Sequence, residues 1–183
     1  MMDPLRIYDY LAAARRRVLD AVRTLTPEEY LRPFPFGLTT VGATVTHMML
    51  SEWYYIERVE GREVPPYERW PIQYENPPSL TVIEPIWREQ EVRVRSVLAA
   101  QTDAVGADGS RGWDRRIAYE SFPDDTRGRR RFLLCATAGD YVIQLALHEV
   151  HHRSQAMSML RQLGQPVQDI DYNDLMFERR ELS

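Results

Sequence analysis

The sequence predicts an all-α fold: a four-helix bundle with a small β-hairpin between its third and fourth long helices. Two patterns carry this prediction. Four segments of roughly twenty residues repeat apolar side chains three and four positions apart. Capping residues, glycines and prolines bracket them, and one further stretch alternates with period two.

The first helix is expected over about residues 4–25, with Asp3 as N-cap and Pro4 at the first helical position. Leu11, Val18, Val22 and Leu25 give it one buried face. TPEEY (26–30) then reads as a short capped turn. The second helix spans about 40–60 and stops at Gly61. Residues 62–79, rich in proline and tryptophan, form an ordered surface loop. The third helix is expected over about 81–102, with a capping box in T-V-I-E from Thr81 and with Pro85 near its first turn.

A glycine- and aspartate-rich turn at 104–112 precedes the hairpin, expected over about 113–136. Trp113, Arg115, Ile117 and Tyr119 share one parity, and Phe132, Leu134 and Ala136 repeat the pattern after PDDTRGR. Thr137 caps the fourth helix, about 138–163, which Gly164 and Pro166 end. At 183 residues the chain suits a single domain, 1–183.

Composition removes several kinds of chemistry. All 23 basic residues are arginine, so no lysine can form a Schiff base. A formal charge of -4 gives no electrostatic footprint for nucleic acid or an anionic membrane. The arginine run at 129–131 follows Asp124 and Asp125 across a turn and reads as a solvated hairpin end. No segment is apolar for long enough to span a bilayer, and the N-terminus lacks a signal-peptide layout; the expectation is a soluble, cytoplasmic protein. The single cysteine, Cys135, excludes an internal disulfide and a cysteine-based zinc cluster. Its neighbours Phe132, Leu133 and Leu134 predict a buried, inert thiol.

Three of the four histidines fall in HEVHH, 148–152, on the fourth helix. At about 100° per residue, His148 and His152 lie about 40° apart on the apolar stripe with Tyr141 and Leu145, while His151 lies on the polar flank. One turn of helix brings the two inward imidazoles close enough for one metal ion. The remaining histidine, His47, lies on a largely apolar face of the second helix. It is either a hydrogen-bonded core residue or the third ligand. Three ligands would leave coordination positions open, as in catalytic sites.

HEVHH also satisfies the H-E-x-x-H zinc-peptidase pattern, with Glu149 as general base. The longer metzincin pattern fails, because its glycine falls at Gln155 and its third ligand at Ser158. A glutamate ligand could come only from the polar tail, from Glu178 or Glu181. Glu149 borders the apolar stripe, where it could orient a ligand histidine or pair in solvent with Arg153; the latter is the expectation.

In helix four, His148, His152, Arg153, Gln155, Leu160, Arg161 and Gly164 follow the pattern H-x-x-x-H-R-x-Q, an apolar segment and L-R-x-x-G. With TTVGATVTHMMLSEWYYIERVEG around His47 and the preceding hairpin, this resembles the DinB/YfiT-like superfamily of metal-binding four-helix bundles. The resemblance implies up-down-down-up connectivity and homodimers. It also implies one divalent metal, nickel or zinc with iron or manganese as further options, on His47, His148 and His152. It implies no DNA binding.

Activities in the superfamily include S-transfer from low-molecular-weight thiols. The functional expectation is therefore a metal-dependent transferase or hydrolase acting on a small electrophilic substrate, with an external thiol as cofactor. Tyr54 and Tyr141 share angular sectors with the ligands and, with Glu149, Arg153 and Gln155, are candidate pocket residues. Arg153 could hold an anionic substrate or make a structural salt bridge. The alternative is a non-catalytic module in which metal staples the bundle.

Overall fold

The computed structural model describes residues 3–121 and 130–180. It is mostly helical, with one two-stranded antiparallel hairpin. The long helices are α1 (Pro4–Val22), α3 (Val41–Val59), α4 (Leu80–Ala100) and α5 (Ala138–Gln162). Short helices α2 (Pro27–Tyr30) and α6 (Tyr172–Met176) sit on their flanks. Each of α1 and α3 packs against both α4 and α5. No described helix is long and apolar enough to cross a membrane.

Capping explains most boundaries. Asp3 accepts from the Leu5 N–H, Thr40 from Ala43, and Thr26 and Thr137 each close a capping box, with Glu29 and Asp140. Gly61 and Gly164 take positive φ just past the ends of α3 and α5. The third long helix departs from expectation. It starts at Leu80 with Ser79 as N-cap and ends at Ala100, so Thr81 lies inside it and caps nothing. The Ser79 and Thr81 hydroxyls bond each other at 2.8 Å instead. The first helix ends at Val22, earlier than its apolar pattern suggests, although Leu25 still packs on the core. The short helix α6 lies beyond the fourth long helix, where no element is expected from the sequence.

The hairpin is shorter than expected: β1 (Arg116–Glu120) pairs with β2 (Leu133–Thr137), and Trp113 belongs to a preceding single 3-10 turn. Ile117 faces Ala136 and Tyr119 faces Leu134 across the ladder. The expected turn at 123–129, with its acidic pair and Arg129, lies outside the described residues. Cys135 corrects a prediction: it is exposed. This end of β2 is open on both faces, since Phe132, Leu133 and Leu134 are exposed as well, and Ala136 and Thr137, next to α5, are partly covered.

Two apolar clusters fill most of the space between the long helices, and a third, with Val59, Ile117, Ala138 and Tyr141, joins α3 and α5 to the hairpin. Of the first two, one gathers Val18, Val22, Val45, Met49, Ile83 and Leu160; the other gathers Tyr8, Leu11, Ile56, Val94, Leu98 and Leu145. Between these positions on every long helix stands a polar residue. Arg15 of α1 bonds the Glu52 carboxylate of α3 and, at 2.7 Å, the Glu149 carboxylate of α5. From α4, Trp87 Nε1 and Gln90 Nε2 donate to the second oxygen of Glu52 at 3.0 and 2.8 Å. The Arg15 guanidinium also stacks 4.2 Å from the Trp87 ring centroid. All of these side chains are buried.

Burial opposes the Arg15 charge, but Glu149 and Glu52 outweigh it and push its pKa up. Burial pushes the Glu149 carboxyl up, with Arg15 pulling against that and Glu52 adding to it. Arg15→Met would leave two carboxylates buried without their counter-charge. The expected cost is about 3–5 kcal/mol, read from urea unfolding, and a loss below about 1 kcal/mol would contradict it.

Candidate metal centre

His47 faces α5 from the middle of α3, and His148 and His152 face it from successive turns of α5. The three rings have centroids 4.5 to 5.0 Å apart. One ligand nitrogen from each lies within 4.8 Å of the others. The Nε2 atoms of His47 and His148 are 3.2 Å apart. Two nitrogens bound tetrahedrally at the usual zinc distance stand about 3.3 Å from each other. The donor set and its spacing therefore fit a divalent ion.

Gln155 orients one of these rings. Its Oε1 lies 3.0 Å from His152 Nδ1, and its Nε2 lies 3.0 Å from His151 Nε2. An amide oxygen only accepts, so His152 Nδ1 carries the proton and its Nε2 lone pair is left for the cluster. The adjoining loop leaves no spare room. Gly37 adopts φ +59°, and a Cβ there would meet Gln155 Oε1 at 2.9 Å. His151 is exposed on the polar flank, where its helical angle puts it.

Burial, with His152 and His148 adding to it, pushes His47 down to about 3. Burial and the neighbouring imidazoles push His148 down to about 4. His152 is also lowered, chiefly by burial, although its bond to Gln155 works the other way. At neutral pH all three rings are uncharged, the state a metal ligand requires.

The other candidate residues separate. Tyr141 is buried and stacks toward Tyr55 and Tyr119, while Tyr54 donates to the Tyr119 hydroxyl at 3.0 Å. Among the described rings beside the cluster are Tyr55, 5.8 Å from His148, and Tyr74, 5.1 Å from His47. Ser51 Oγ stands 3.4 Å from His47 Nε2. These three were missed. Ser51 and Tyr55 follow His47 at helical spacing and were legible from it; Tyr74 sits in the irregular segment 62–79, which carries no periodic signal.

Glu149 is not the solvated partner of Arg153. It is 3% exposed and is held by Arg15, because its position on α5 points between α1 and α3 rather than into water. Its Oε2 is held by Arg15 and its Oε1 has no hydrogen-bond partner, but the carboxylate is not part of the histidine cluster, where a peptidase base would have to stand. Arg153 is buried against α1, where it donates to the Tyr10 hydroxyl at 2.6 Å and stacks on that ring; among the described residues it makes no ion pair.

The fold and site define a helical protein whose histidine cluster joins two of its long helices. The DinB family profile matches residues 1–181, and the chain belongs to the DinB family. It resembles the crystal structure of a DinB-like protein from Bacillus cereus ATCC 10987, with a TM-score of 0.53 at 18% identity. That alignment covers 88% of this chain and 95% of the other, and it bears on the fold. No curated protein matches the chain.

The lowered histidines set a pH dependence for the metal-free protein. Unfolded, these imidazoles take protons near their ordinary value of 6.5; folded, His148 resists to about 4 and His47 to about 3. Throughout that interval the unfolded chain binds more protons, so stability rises with pH. Urea midpoints of chelator-treated protein should fall as pH drops from about 6.5 toward 4, more steeply than those of a His47→Leu/His148→Leu variant. Parallel profiles would contradict the assignment.

Proposed function

We propose that the chain is a divalent-metal-binding DinB-like enzyme, a thiol S-transferase or hydrolase acting on a small electrophilic substrate. The observation that carries this reading is the convergence of three neutral, half-shielded imidazoles at metal-ligand spacing. Nickel or zinc suits the all-imidazole set best, with iron or manganese compatible. When bound, such an ion supplies the positive charge that lowers the pKa of a thiol or water in an open position.

The chain's own residues do the rest. His47, His148 and His152 hold the ion, and Gln155 fixes the His152 tautomer. Ser51 offers a hydroxyl at the cluster's edge, and Tyr55 and Tyr74 provide aromatic walls. Cys135, exposed on the hairpin, is not placed to supply the thiol, which on the transferase reading comes from solution as a low-molecular-weight cofactor.

We read the long helices as an up-down-down-up bundle. The pairs Asp9–Arg95, Arg16–Glu91 and Arg23–Glu84 support opposed directions for α1 and α4. Gln90–Met49 and Arg93–Glu60 support a shared direction for α3 and α4. A second functional reading, a metal staple without catalysis, draws on the fact that the cluster links α3 to α5. Chelation would then lower Tm strongly while no thiol transfer is found.

His148→Ala should reduce bound metal from one ion per chain to none by elemental analysis of untagged protein; full stoichiometry in the variant would overturn the assignment. Loss of the Gln155 amide leaves the His152 ring free to turn. Gln155→Ala is expected to weaken metal binding by about 10–100-fold in competition with a chromophoric chelator.

A further inference from the structure

Three turns along α3 from His47 lies Arg58. His47, Ser51, Tyr54 and Arg58 follow one another at spacings of four, three and four, which keeps them within about 60° on one face of the helix. Tyr141 lies two turns from His148 on the facing stripe of α5, and Tyr119 reaches into the same row from the hairpin. The histidine cluster thus stands at one end of a polar and aromatic row, and a guanidinium stands at the other.

Among the described residues that guanidinium has no counter-charge. Arg58 is 7% exposed, and its Nε is buried with no hydrogen-bond partner. Its described contacts are with the faces of two rings, 4.0 Å from the Tyr119 centroid and 5.2 Å from that of Tyr54. The neighbouring acids are taken: Glu57 and Glu60 both pair with Arg93. No phenolate replaces them. Burial pushes both the Tyr119 and Tyr141 hydroxyls up, so they stay protonated and can donate. Ring stacking offsets part of the cost of burying a cation, yet it leaves the Nε–H unsatisfied. The other buried arginines, Arg15 and Arg153, also keep an unpartnered N–H, but Arg15 meets two carboxylates and Arg153 donates to a tyrosine hydroxyl, whereas the described contacts of the Arg58 guanidinium are with ring faces alone.

We propose that Arg58 binds the carboxylate of the substrate, which is a small monoanion. A fork of N–H donors matches a carboxylate in two parallel bonds. One unpaired cation matches one negative charge. A phosphate dianion would need a second, and nearby Arg115 is already bonded to the Val59 carbonyl and to Gln101. Placement of the reacting end at the histidines rests on the metal reading above; carboxylate binding at Arg58 does not.

The test uses the full chain, dialysed free of metal and also reloaded with zinc, titrated calorimetrically with phenylacetate and with its neutral analogue phenylacetamide. Phenylacetate should bind at least about tenfold more tightly than the amide in both preparations, and Arg58→Gln should abolish that preference. Equal binding of acid and amide, no binding of phenylacetate, or a preference that survives in Arg58→Gln would overturn the proposal. A nuclear magnetic resonance readout on the wild-type chain covers a variant that fails to fold. The Arg58 Nε–H resonance should shift with phenylacetate and not with the amide, and an unmoved resonance overturns the proposal. Failure of zinc uptake would remove the metal reading alone, because the metal-free titration reports on Arg58 directly.

Discussion

The ion pairs from Arg15 to Glu52 and Glu149 are the constraint on which the rest of this structure hangs. Apolar side chains alone would let α3 and α5 slide past each other by a turn at modest cost, since one leucine-sized knob replaces another. A buried charge permits no such slip. Arg15 must meet both carboxylates at once, and Trp87 and Gln90 must meet Glu52 from α4. Any register other than this one strands charge in the interior, at a cost of several kcal/mol. The pairs stabilise the bundle less than they select one arrangement of it.

That selection reaches the histidines through covalent proximity. Glu149 follows His148 directly, and Glu52 lies five residues beyond His47. On a helix, fixing one position fixes the phase of its neighbours. Locking both glutamates onto Arg15 therefore sets the rotation of α3 and α5 at which the imidazoles meet. The two sets also need opposite electrostatics. The charged layer holds its ions because they are paired, whereas the histidines are uncharged because burial without an anion makes protonation unfavourable. No described carboxylate joins the histidine cluster, and this absence keeps its lone pairs available.

Periodicity made much of this legible. The apolar stripes located the four long helices, and the same angular reasoning separated His148 and His152 from His151. What it could not deliver was the partner of a residue at the edge of a stripe. Glu149 looked solvated because a helical wheel shows only one helix, and the Arg15 that neutralises it is 134 positions away. Cys135 was misjudged because apolar neighbours in sequence were taken as neighbours in space, while the hairpin leaves Phe132, Leu133 and Leu134 exposed beside it. The capping box expected at Thr81 lost to Ser79, whose extended backbone begins the helix two residues earlier. Tyr74 owes its place beside His47 to an irregular segment, for which no local rule predicts a tertiary contact.

The H-E-x-x-H string takes on a different meaning in this light. In a peptidase the glutamate must stand beside the metal with a free oxygen for water. Here the residue after His148 turns about 100° away from the histidine cluster and into the bundle. The spacing that satisfies the peptidase pattern is the spacing that lets one helix face two neighbours, with histidines toward α3 and the glutamate toward α1. The same logic applies along α3, where His47 and Arg58 share a face while Glu52 points to the interior. Each helix thus carries its histidines on one stripe and its register-setting charge on another. The motif in α5 records that division of labour between two faces.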